Sequence, residues 1–461
     1  MKRLFFLILA VCLTVSCASV EDGPATSLEF AAGYGDTVVM SGYGETVNIK
    51  FRSSRDWHID VSGGEGWLEV SPTEGSAGLS MLKLKAEKNE SSGKRTAVIT
   101  VISGEESLSL TVGQDVYSPT LALHGKRREV SGFGGRIRVR VNSDVEYEYE
   151  IGADWIAEAE TKAVRKYEHM FVAEPNTSDT PRTAEIIFKS DGLTEIFTVT
   201  QRPSLTTGKD WIHEDFKQRS LAMRFTADWC GYCPMMAKAL DAAHESLDGR
   251  LEVVSLHGSQ SALEFQAVNP LLNRFQVPGF PTGVVDARAS IPNYSNISDT
   301  QRTAVDVAME TWEAYPAKTG IEMFSAIYDS ELVLDLAVYA KEADVYKLTI
   351  LLLEDNITGF QNGAGNNYVH NGVARVAVTS VGGETLRISE DGAVWRESYY
   401  VDVPDGCDTS NLRVLVYVEK PYGDQEQVYG VDWAEYGDYG DTYVDNCRTA
   451  PVGTEATLEF V

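Results

Sequence analysis

The sequence predicts a multidomain protein that begins with two related β-sandwiches, continues with one α/β domain and ends with an all-β sandwich. Three observations predict this order. Marker residues recur at fixed spacing within residues 27–203, alternation of apolar and polar residues surrounds these markers, and a strand-and-helix order replaces the alternation over residues 209–318. A chain of 461 residues with 43% hydrophobic residues can fold as three or four domains, each with its own core.

The chain is strongly acidic. It carries 40 basic and 68 acidic residues, which gives a formal net charge of -28. Such a charge repels phosphate backbones and anionic lipid headgroups. We therefore expect no nucleic-acid partner.

The N-terminus predicts export. Residues 1–16 combine early basic residues with an apolar run that is too short to span a membrane in the mature protein, as in a signal peptide. The tetrapeptide TVSC at 14–17 resembles a bacterial lipobox, so Cys17 is the expected acylated residue and 17–26 the expected linker. The alternative is a plain signal peptide cut near Ala18. The expected location is the outer membrane, with the lipoprotein facing the periplasm or the cell surface.

The first two sandwiches are predicted from an internal repeat. In each copy an Asn is followed by an Arg six residues on and by a Gln a further nineteen residues on. These markers are Asn89, Arg95 and Gln114 in the first copy and Asn176, Arg182 and Gln201 in the second. The alternation around them, as in TAVITV and TAEIIF, indicates short antiparallel strands. Residues 27–116 and 117–203 are therefore predicted to form two sandwiches of one topology.

The first copy resembles a known module. The stretches WLEVSPTEG at 67–75 and RTAVITV at 95–101 resemble the BACON domain, a Bacteroidetes-associated immunoglobulin-like module. The second copy resembles it less fully, because it lacks the SPTEG turn. The resemblance implies binding of carbohydrate or mucin, with Trp57 as the candidate glycan contact. The alternation favours the other interpretation, in which Trp57 fills a core and the two immunoglobulin-like modules act as spacers.

The α/β segment carries a pair of cysteines. DWCGYCP at 228–234 lies between a strand pattern and a helix pattern, and GFPT follows at 279–282. This order resembles the thioredoxin fold, which implies that Pro281 is the cis-proline that packs against the cysteine pair. Free N–H groups and the helix dipole favour a thiolate just before a helix, so Cys230 is the predicted attacking thiol and Cys233 the resolving thiol.

One position departs from the thioredoxin pattern. Arg224 stands six residues before the first cysteine, where many relatives carry a buried carboxylate that moves the resolving proton. A guanidinium cannot act as that base, which puts turnover in question. A static disulfide between Cys230 and Cys233 is the alternative. A zinc site would need two more ligands at short spacing, so no metal or other cofactor is predicted. His257, after the next strand pattern, is expected to be solvated.

Alternation returns over residues 320–461 and predicts the last β-sandwich. The stretch YVHNGVAR at 368–375, together with the α/β segment before it, resembles the Omp-twenty-eight-related family of outer membrane lipoproteins, whose members join a thioredoxin-like part to a β-sandwich. Within that stretch, His370 and Arg375 are candidates either for a polar site or for a clamp between a turn and a strand.

Two further cysteines lie in the last segment. An extracytoplasmic compartment favours oxidation, and no other partner is evident for either residue. A structural disulfide between Cys407 and Cys447 is therefore predicted.

Two functional hypotheses follow. The first is an outer-membrane lipoprotein whose thioredoxin-like domain is a thiol–disulfide oxidoreductase for client proteins, carried away from the membrane on the two sandwiches. The second is a non-catalytic surface protein that binds glycan, mucin or another protein and keeps the thioredoxin fold as a scaffold. A fold alone does not decide between them.

Overall fold

A computed structural model describes residues 28–159, 167–206, 208–291, 296–422 and 442–461. The expected lipid anchor Cys17 and the leader before it lie outside these described residues. Strands dominate the described chain, which forms two compact units, Met1–Pro119 and Thr120–Val461. The prediction of a multidomain, mostly β protein is therefore confirmed.

Residues 28–119 fold as a sandwich of two sheets. The strands are β1 (Glu29–Phe30), β2 (Thr37–Met40), β3 (Thr46–Ser53), β4 (Trp57–Ser62), β5 (Leu68–Ser71), β6 (Glu74–Gly75), β7 (Gly78–Ala86), β8 (Arg95–Ser103) and β9 (Glu106–Gln114). One sheet has the order β1-β3-β7-β5 and the other the order β2-β9-β8-β4-β6. The apolar residues of the alternating strands face inward, and Phe51, Trp57 and Trp67 belong to the core.

The second sandwich opens the unit Thr120–Val461. Its strands in the described ranges are β10 (Leu121–His124), β11 (Arg127–Val130), β12 (Gly135–Ser143), β13 (Glu148–Ile151), β14 (Ile156–Glu158), β15 (Glu168–Ala173), β16 (Arg182–Ser190) and β17 (Leu193–Gln201). The sheet orders β10-β12-β15-β14 and β11-β17-β16-β13 repeat those of the first sandwich strand by strand. Only β6 has no counterpart among these strands, and β6 lies in the SPTEG turn that the second copy lacks.

The marker residues form the same hydrogen-bond network in both copies. Nε of Arg95 donates to Oε1 of Gln114 at 2.8 Å, and Arg182 donates to Gln201 in the same way at 2.8 Å. The marker glutamines and asparagines are buried and donate to carbonyls of the connecting loops. These bonds satisfy backbone groups that the strand ladders leave unpaired. The fixed spacing in the sequence is therefore the spacing of a loop-closing network.

Residues 208–318 contribute an α/β segment. Its elements in the described ranges are β18 (Ser220–Thr226), α1 (Cys233–Ser246), β19 (Leu251–His257), α2 (Val268–Arg274), β20 (Thr282–Val285), β21 (Ala289–Ile291) and α3 (Ile297–Ala314). β18 is buried throughout and pairs parallel with β19 and antiparallel with β20. A proline occupies the first turn of α1, where a missing N–H costs nothing, and Asn296 caps α3. Across the described ranges, every helix lacks the length or the apolar character needed to cross a bilayer.

The last segment completes a mixed sheet that the α/β segment begins. Its strands in the described ranges are β22 (Thr319–Tyr328), β23 (Glu331–Ala340), β24 (Asp344–Glu354), β25 (Ile357–Gln361), β26 (Gly365–His370), β27 (Val373–Ala377), β28 (Glu384–Ile388), β29 (Ala393–Asp402), β30 (Leu412–Pro421), β31 (Thr442–Pro451) and β32 (Glu455–Ala456). A nine-stranded sheet runs β21-β20-β18-β19-β27-β24-β30-β31, with β28 also paired to β24. A second sheet has the order β29-β23-β22-β32, and β25 and β26 form a separate hairpin. The predicted segments 209–318 and 320–461 thus share one sheet, joined where β19 meets β27.

The second sandwich packs against the sheet that contains β23 and β29. The carboxylate of Asp335 on β23 accepts hydrogen bonds from Nη2 of Arg128, from N of Ser131 at 3.1 Å and from Oγ of Ser398 at 2.6 Å. Nη1 of Arg128 donates to the hydroxyl of Tyr400 at 2.7 Å. The side chains of Arg128 and Asp335 are almost completely buried. These buried contacts join the second sandwich to the rest of the larger unit.

The predicted disulfide between Cys407 and Cys447 is not formed, and both residues are free thiols. Side chains of β30 alternate between two cores, so Leu415 and Tyr417 face one core while Val416 faces the other. Cys447 belongs to the first core, and Cys407 packs against the second. The nine-stranded sheet therefore separates the two sulfurs, which corrects the prediction. Burial raises the pKa of both thiols.

Candidate functional site

The cysteine pair lies between the end of a buried strand and the start of a helix. β18 ends at Thr226, and α1 begins at Cys233 with Tyr232 as its N-cap residue. Cys230 and Cys233 are joined by a disulfide, with their Cα atoms 5.5 Å apart. The N–H of Cys233 donates to the carbonyl of Cys230 at 3.4 Å. The structure thus places Cys230 three residues before the start of the helix and Cys233 at the first helical position.

Phe280 and Pro281 reach this site from the loop before β20. The peptide bond between them is cis, and the Phe280 ring packs against the two cysteines. A Cβ on Gly258 would lie 2.4 Å from the Phe280 ring, so the ring occupies space that only glycine leaves open. The cis bond agrees with the cis-proline expectation for Pro281, whereas the side chain found against the cysteines is that of Phe280. The sequence motifs include Phe280 but do not indicate Gly258, because the contact between these two residues joins two separate loops.

The disulfide is shielded, whereas the loop around it exposes aromatic side chains. Cys230 is 5% exposed and Cys233 2%, so the predicted attacking sulfur is the more exposed by only a small margin. Trp229 and Tyr232 are 47% and 69% exposed. The Trp229 ring stacks on that of Phe280 with a centroid distance of 5.6 Å. The site therefore presents aromatic surface beside a nearly buried disulfide.

The tip of the β25–β26 hairpin, residues 361–363, holds the cysteine loop from the other side. Nε2 of Gln361 lies 3.1 Å, 3.2 Å and 2.8 Å from the carbonyl oxygens of Ala227, Asp228 and Cys230. The Gln361 side chain is buried. One side-chain amide from the C-terminal segment therefore lies within hydrogen-bonding distance of three carbonyl groups of the cysteine loop.

The next two residues of the tip complete this contact. The backbone N–H of Asn362 donates to the Asp228 carbonyl at 2.7 Å, and its side-chain amide donates to the Trp229 carbonyl at 2.9 Å. Gly363 has a φ of 83°, and a Cβ there would lie 2.4 Å from the carbonyl oxygen of Gly231. A glycine is therefore needed where the two backbones meet. Sequence reasoning assigned these residues no role, because nothing local to the hairpin indicates its partner.

Arg224 lies on β18, behind the cysteine loop. Its Nη2 donates to Oγ of Ser255 at 2.6 Å, and that hydroxyl donates to the carbonyl of Asn371 at 2.7 Å. A cleft of about 430 Å³ is lined in part by Arg224 and by Asp241 of α1. Burial raises the pKa of Asp241, and the nearby Arg224 cation offsets part of that rise. The buried Arg224 side chain thus occupies the position at which the resemblance to thioredoxins predicts a proton-accepting carboxylate.

His257 is fully buried, so the expectation that it is solvated is wrong. Its Nδ1 pairs with Oγ of Ser261 at 2.9 Å, and its ring packs edge-on against that of His370 with a centroid distance of 5.5 Å. Burial, aided by the Arg224 cation, lowers the pKa of His257 to about 3, and burial also lowers the pKa of His370. Both imidazoles are therefore neutral at pH 7, and their contact joins the α/β segment to the YVHNGVAR stretch.

His370 and Arg375 do not form one polar site. Nε of Arg375 pairs with Oε2 of Glu354 at 3.4 Å, whereas Nε2 of His370 donates to the Phe360 carbonyl at 3.3 Å. Their partners lie on different elements. The structure therefore agrees with the clamp hypothesis, in which this stretch ties turn and strand together.

Trp57, the candidate glycan contact, lies in the core of the first sandwich. It is 4% exposed, and its ring packs edge-on against Phe51 with a centroid distance of 4.9 Å. Its Nε1 donates to Oγ of Ser80 at 3.0 Å. A buried indole offers no face to a sugar, so the structure supports the core interpretation.

The fold and this site define a mostly β, multidomain protein with a shielded cysteine pair in its α/β segment. Comparison with known families is more particular. Residues 269–436 match the model of outer membrane protein Omp28. Residues 56–115 and 143–202 each match the BACON model, described as "Putative binding domain, N-terminal". Both family resemblances predicted from the sequence are therefore confirmed. No curated protein matches the chain significantly.

Two solved structures illustrate how distant the known relatives are. HBP35 of Porphyromonas gingivalis is 19% identical over 52% of this chain and 76% of its own chain, with a TM-score of 0.42. A GH5 xyloglucanase of Bacteroides ovatus, solved with a XXXG heptasaccharide, is 28% identical over 23% of this chain and 22% of its own, with a TM-score of 0.19. Similarity at this level does not define a shared fold.

The family matches nevertheless agree on location. An outer-membrane family matches much of the C-terminal half of the chain, and a binding-domain family matches a large part of each N-terminal sandwich. Together they point to a cell-envelope or surface protein that carries binding modules.

Proposed function

We propose that this protein is an outer-membrane lipoprotein in which a thioredoxin-like domain exchanges disulfides with client proteins. The observation that carries the proposal is the bonded Cys230–Cys233 pair at the N-terminus of α1, with Phe280 packed against it and Pro281 next in the chain. The element order β18, α1, β19, α2, β20, β21 and α3 around the pair supports a thioredoxin-like assignment.

The exchange conserves atoms and electrons. In the oxidising direction a client thiolate attacks the sulfur of Cys230, the disulfide breaks, and Cys233 leaves as a thiolate that takes up a proton. A second client thiolate then attacks the mixed disulfide. The client departs with a new disulfide, and its two electrons remain in the reduced Cys230 and Cys233. The reducing direction follows the same steps backwards. Because the N-terminus of α1 stabilises a thiolate at Cys230, this residue is both the better attacking thiol and the better leaving group.

The proton step limits the rate of this exchange. Arg224 is a cation, and His257 has a pKa of about 3 because it is buried, so neither accepts a proton at neutral pH. The two residues nearest the expected base position therefore cannot carry the proton that Cys233 exchanges. We expect slow turnover for this reason.

A second candidate function is favoured by the shielding of the sulfurs. Both cysteines are buried, and residues 361–363 hold their loop in place. A static crosslink would share these features. The chain would then be a non-catalytic surface protein that binds glycan, mucin or another protein and uses the α/β segment as a scaffold.

Trapping of mixed disulfides separates the two candidates. We expect Cys233→Ala to accumulate mixed disulfides with proteins of an envelope extract, because the attacking thiol at Cys230 remains while the resolving thiol is gone. The matched control is Cys447→Ala, which removes a buried thiol elsewhere and should trap nothing. Insulin reduction and refolding of scrambled ribonuclease measure turnover of the wild type. If Cys233→Ala traps no partner and the wild type is inactive in both assays, the disulfide is a crosslink.

We also propose that Cys17 anchors the protein and that the two N-terminal sandwiches act as spacers. A fatty-acid analogue should label the wild type and should not label Cys17→Ser. Equal labelling of the two proteins would exclude acylation at Cys17.

A further inference from the structure

We propose that Gln361 is a positioning residue that sets the equilibrium between disulfide and dithiol at Cys230 and Cys233. The inference rests on the proposed exchange function for its biological use. The equilibrium itself exists whether or not a client is present, so it can be measured on the protein alone.

Three carbonyl oxygens of the cysteine loop converge on one amide. Nε2 of Gln361 lies within 3.2 Å of the carbonyl oxygens of Ala227, Asp228 and Cys230. Gln361 is 2% exposed, so bulk water has no access to replace its amide. The two N–H hydrogens of the Gln361 amide are thus shared among three carbonyl groups, whose oxygen atoms all lie close to Nε2.

The effect of this arrangement depends on the charge of the sulfur. In the disulfide both sulfurs are neutral, whereas reduction allows a thiolate at Cys230. Converging carbonyl dipoles disfavour a negative charge nearby, and the amide hydrogens of Gln361 offset them. One of these carbonyls belongs to Cys230 itself, so the compensation acts at short range. Removal of the amide should therefore disfavour the reduced form more than the disulfide.

The segment that positions the Gln361 amide is distant in sequence from the cysteine loop. Gln361 follows Cys230 by 131 residues and belongs to the hairpin of β25 and β26. Asn362 and Gly363 fix the hairpin tip against the loop through two hydrogen bonds and a close backbone contact. An α/β segment without this hairpin would lack the donor. The C-terminal segment thus tunes a site that lies outside it.

The test compares Gln361→Met with Gln218→Met in the chain that follows the leader. Methionine keeps the length of the side chain and removes both N–H donors. Gln218 is a matched control: it is also buried, and its Nε2 donates to the carbonyls of Tyr315 and Asp445 at 2.9 Å and 3.1 Å. Each protein is equilibrated in glutathione buffers, in which two glutathione thiols reduce the protein disulfide and leave as glutathione disulfide. The dithiol fraction is read by alkylation and mass spectrometry, and the alkylation rate of Cys230 is followed against pH.

We expect Gln361→Met to require about 3-fold to 10-fold more reducing buffer for half reduction, as the loss of one hydrogen bond implies. The midpoint pH for alkylation of Cys230 should rise as well, while Gln218→Met leaves both quantities unchanged. No shift in Gln361→Met, or an equal shift in both variants, would overturn the proposal.

A second variant covers the case in which Gln361→Met does not fold. Gln361→Asn keeps an amide in the site but shortens the side chain by one methylene group, so its N–H donors no longer reach all three carbonyls and the equilibrium should shift in the same direction by a smaller amount. A shift in the opposite direction would overturn the proposal. If the Gln361 variants shift the disulfide–dithiol equilibrium but Cys233→Ala traps no client, the proposed exchange function is wrong and this inference still holds.

Discussion

Replacing Asp335 by alanine should destabilise the unit Thr120–Val461 by about 3–5 kcal/mol, because the variant leaves a buried guanidinium without its counter-charge. That guanidinium is Arg128 of the second sandwich, and the two side chains are 3% and 2% exposed. Water therefore has no access to replace the missing carboxylate. The loss should loosen the second sandwich from the sheet of β23 and β29.

The magnitude follows from the donors that lose their acceptor. Besides Arg128, the N–H of Ser131 and the hydroxyl of Ser398 donate to the Asp335 carboxylate. A buried donor left unsatisfied costs about 1–3 kcal/mol, and a charged donor costs more. The ion pair itself adds little, since burial raises the pKa of Asp335 despite the adjacent Arg128. The double variant Arg128→Met with Asp335→Leu removes the unpaired charge but still leaves the Ser131 and Ser398 donors without an acceptor, so it should recover only part of the lost stability.

Urea unfolding followed by tryptophan fluorescence measures these differences. The matched control is Glu150→Ala, which breaks an ion pair with Lys189 whose side chains are 68% and 47% exposed. Its cost should stay below about 1 kcal/mol, because water solvates both partners. A similarly small loss in the Asp335→Ala protein, or a double variant less stable than the single one, would refute the reasoning.

Three further predictions concern the first sandwich, the free thiols and a buried acid. Trp57→Ala should cost the first sandwich about 3–5 kcal/mol by emptying a core position, measured by thermal unfolding against the exposed-site control His58→Ala. In the chain from residue 18 onward, a thiol reagent should label two free thiols after unfolding in urea. In the native protein the reagent should label Cys407 slowly and Cys447 hardly at all, because burial raises the pKa of each thiol. Above about pH 4.5, Asp286 and Asp445 should each lower the free energy of unfolding as the pH rises, and Asp286→Asn should remove the contribution of Asp286 in urea titrations at several pH values.

The sign of the pH dependence follows from where the proton is bound. Burial raises the pKa of Asp286 from 3.8 to about 7 and that of Asp445 from 3.8 to about 6. Between the unfolded and folded pKa values, each carboxyl is protonated in the folded state and ionised in the unfolded state. The stability is therefore present at low pH and is lost as the pH rises, by up to about 1.4 kcal/mol per pH unit for each group.

Each of these three predictions can fail separately. A wild-type slope in Asp286→Asn would contradict the assignment of the bound proton. An unchanged thermal stability of the first sandwich in Trp57→Ala would contradict the core role of Trp57. The absence of free thiols in the unfolded chain would contradict the separation of Cys407 and Cys447.

Features set by local patterns could be predicted from the sequence. The repeat was visible because Asn89, Arg95 and Gln114 all serve one sandwich, and the same network recurs in the second. The cysteine pair was placed before a helix because the strand pattern, Pro234 and the helix pattern are adjacent in the chain. In each case the interacting residues lie within one module.

Contacts between distant segments could not be predicted in this way. Nothing near Gln361 indicates that its amide meets the cysteine loop. The burial of His257 depends on His370, which belongs to another segment. Cys407 and Cys447 both belong to the last segment, yet strand alternation places them against cores on opposite faces of one sheet. Predicting such contacts requires knowing which strands pair.

The sequence distance between the cysteine loop and the hairpin tip bears on how the protein matures. Gln361 follows Cys230 by 131 residues. At about 5–20 residues per second, ribosomal synthesis separates the two by roughly 7–26 seconds. In a chain exported as it is made, oxidants of the envelope would meet the cysteine loop before the amide arrives. Cys230 and Cys233 would then be oxidised before the Gln361 amide contacts their loop. Docking of the hairpin would be the last step that sets their disulfide–dithiol equilibrium.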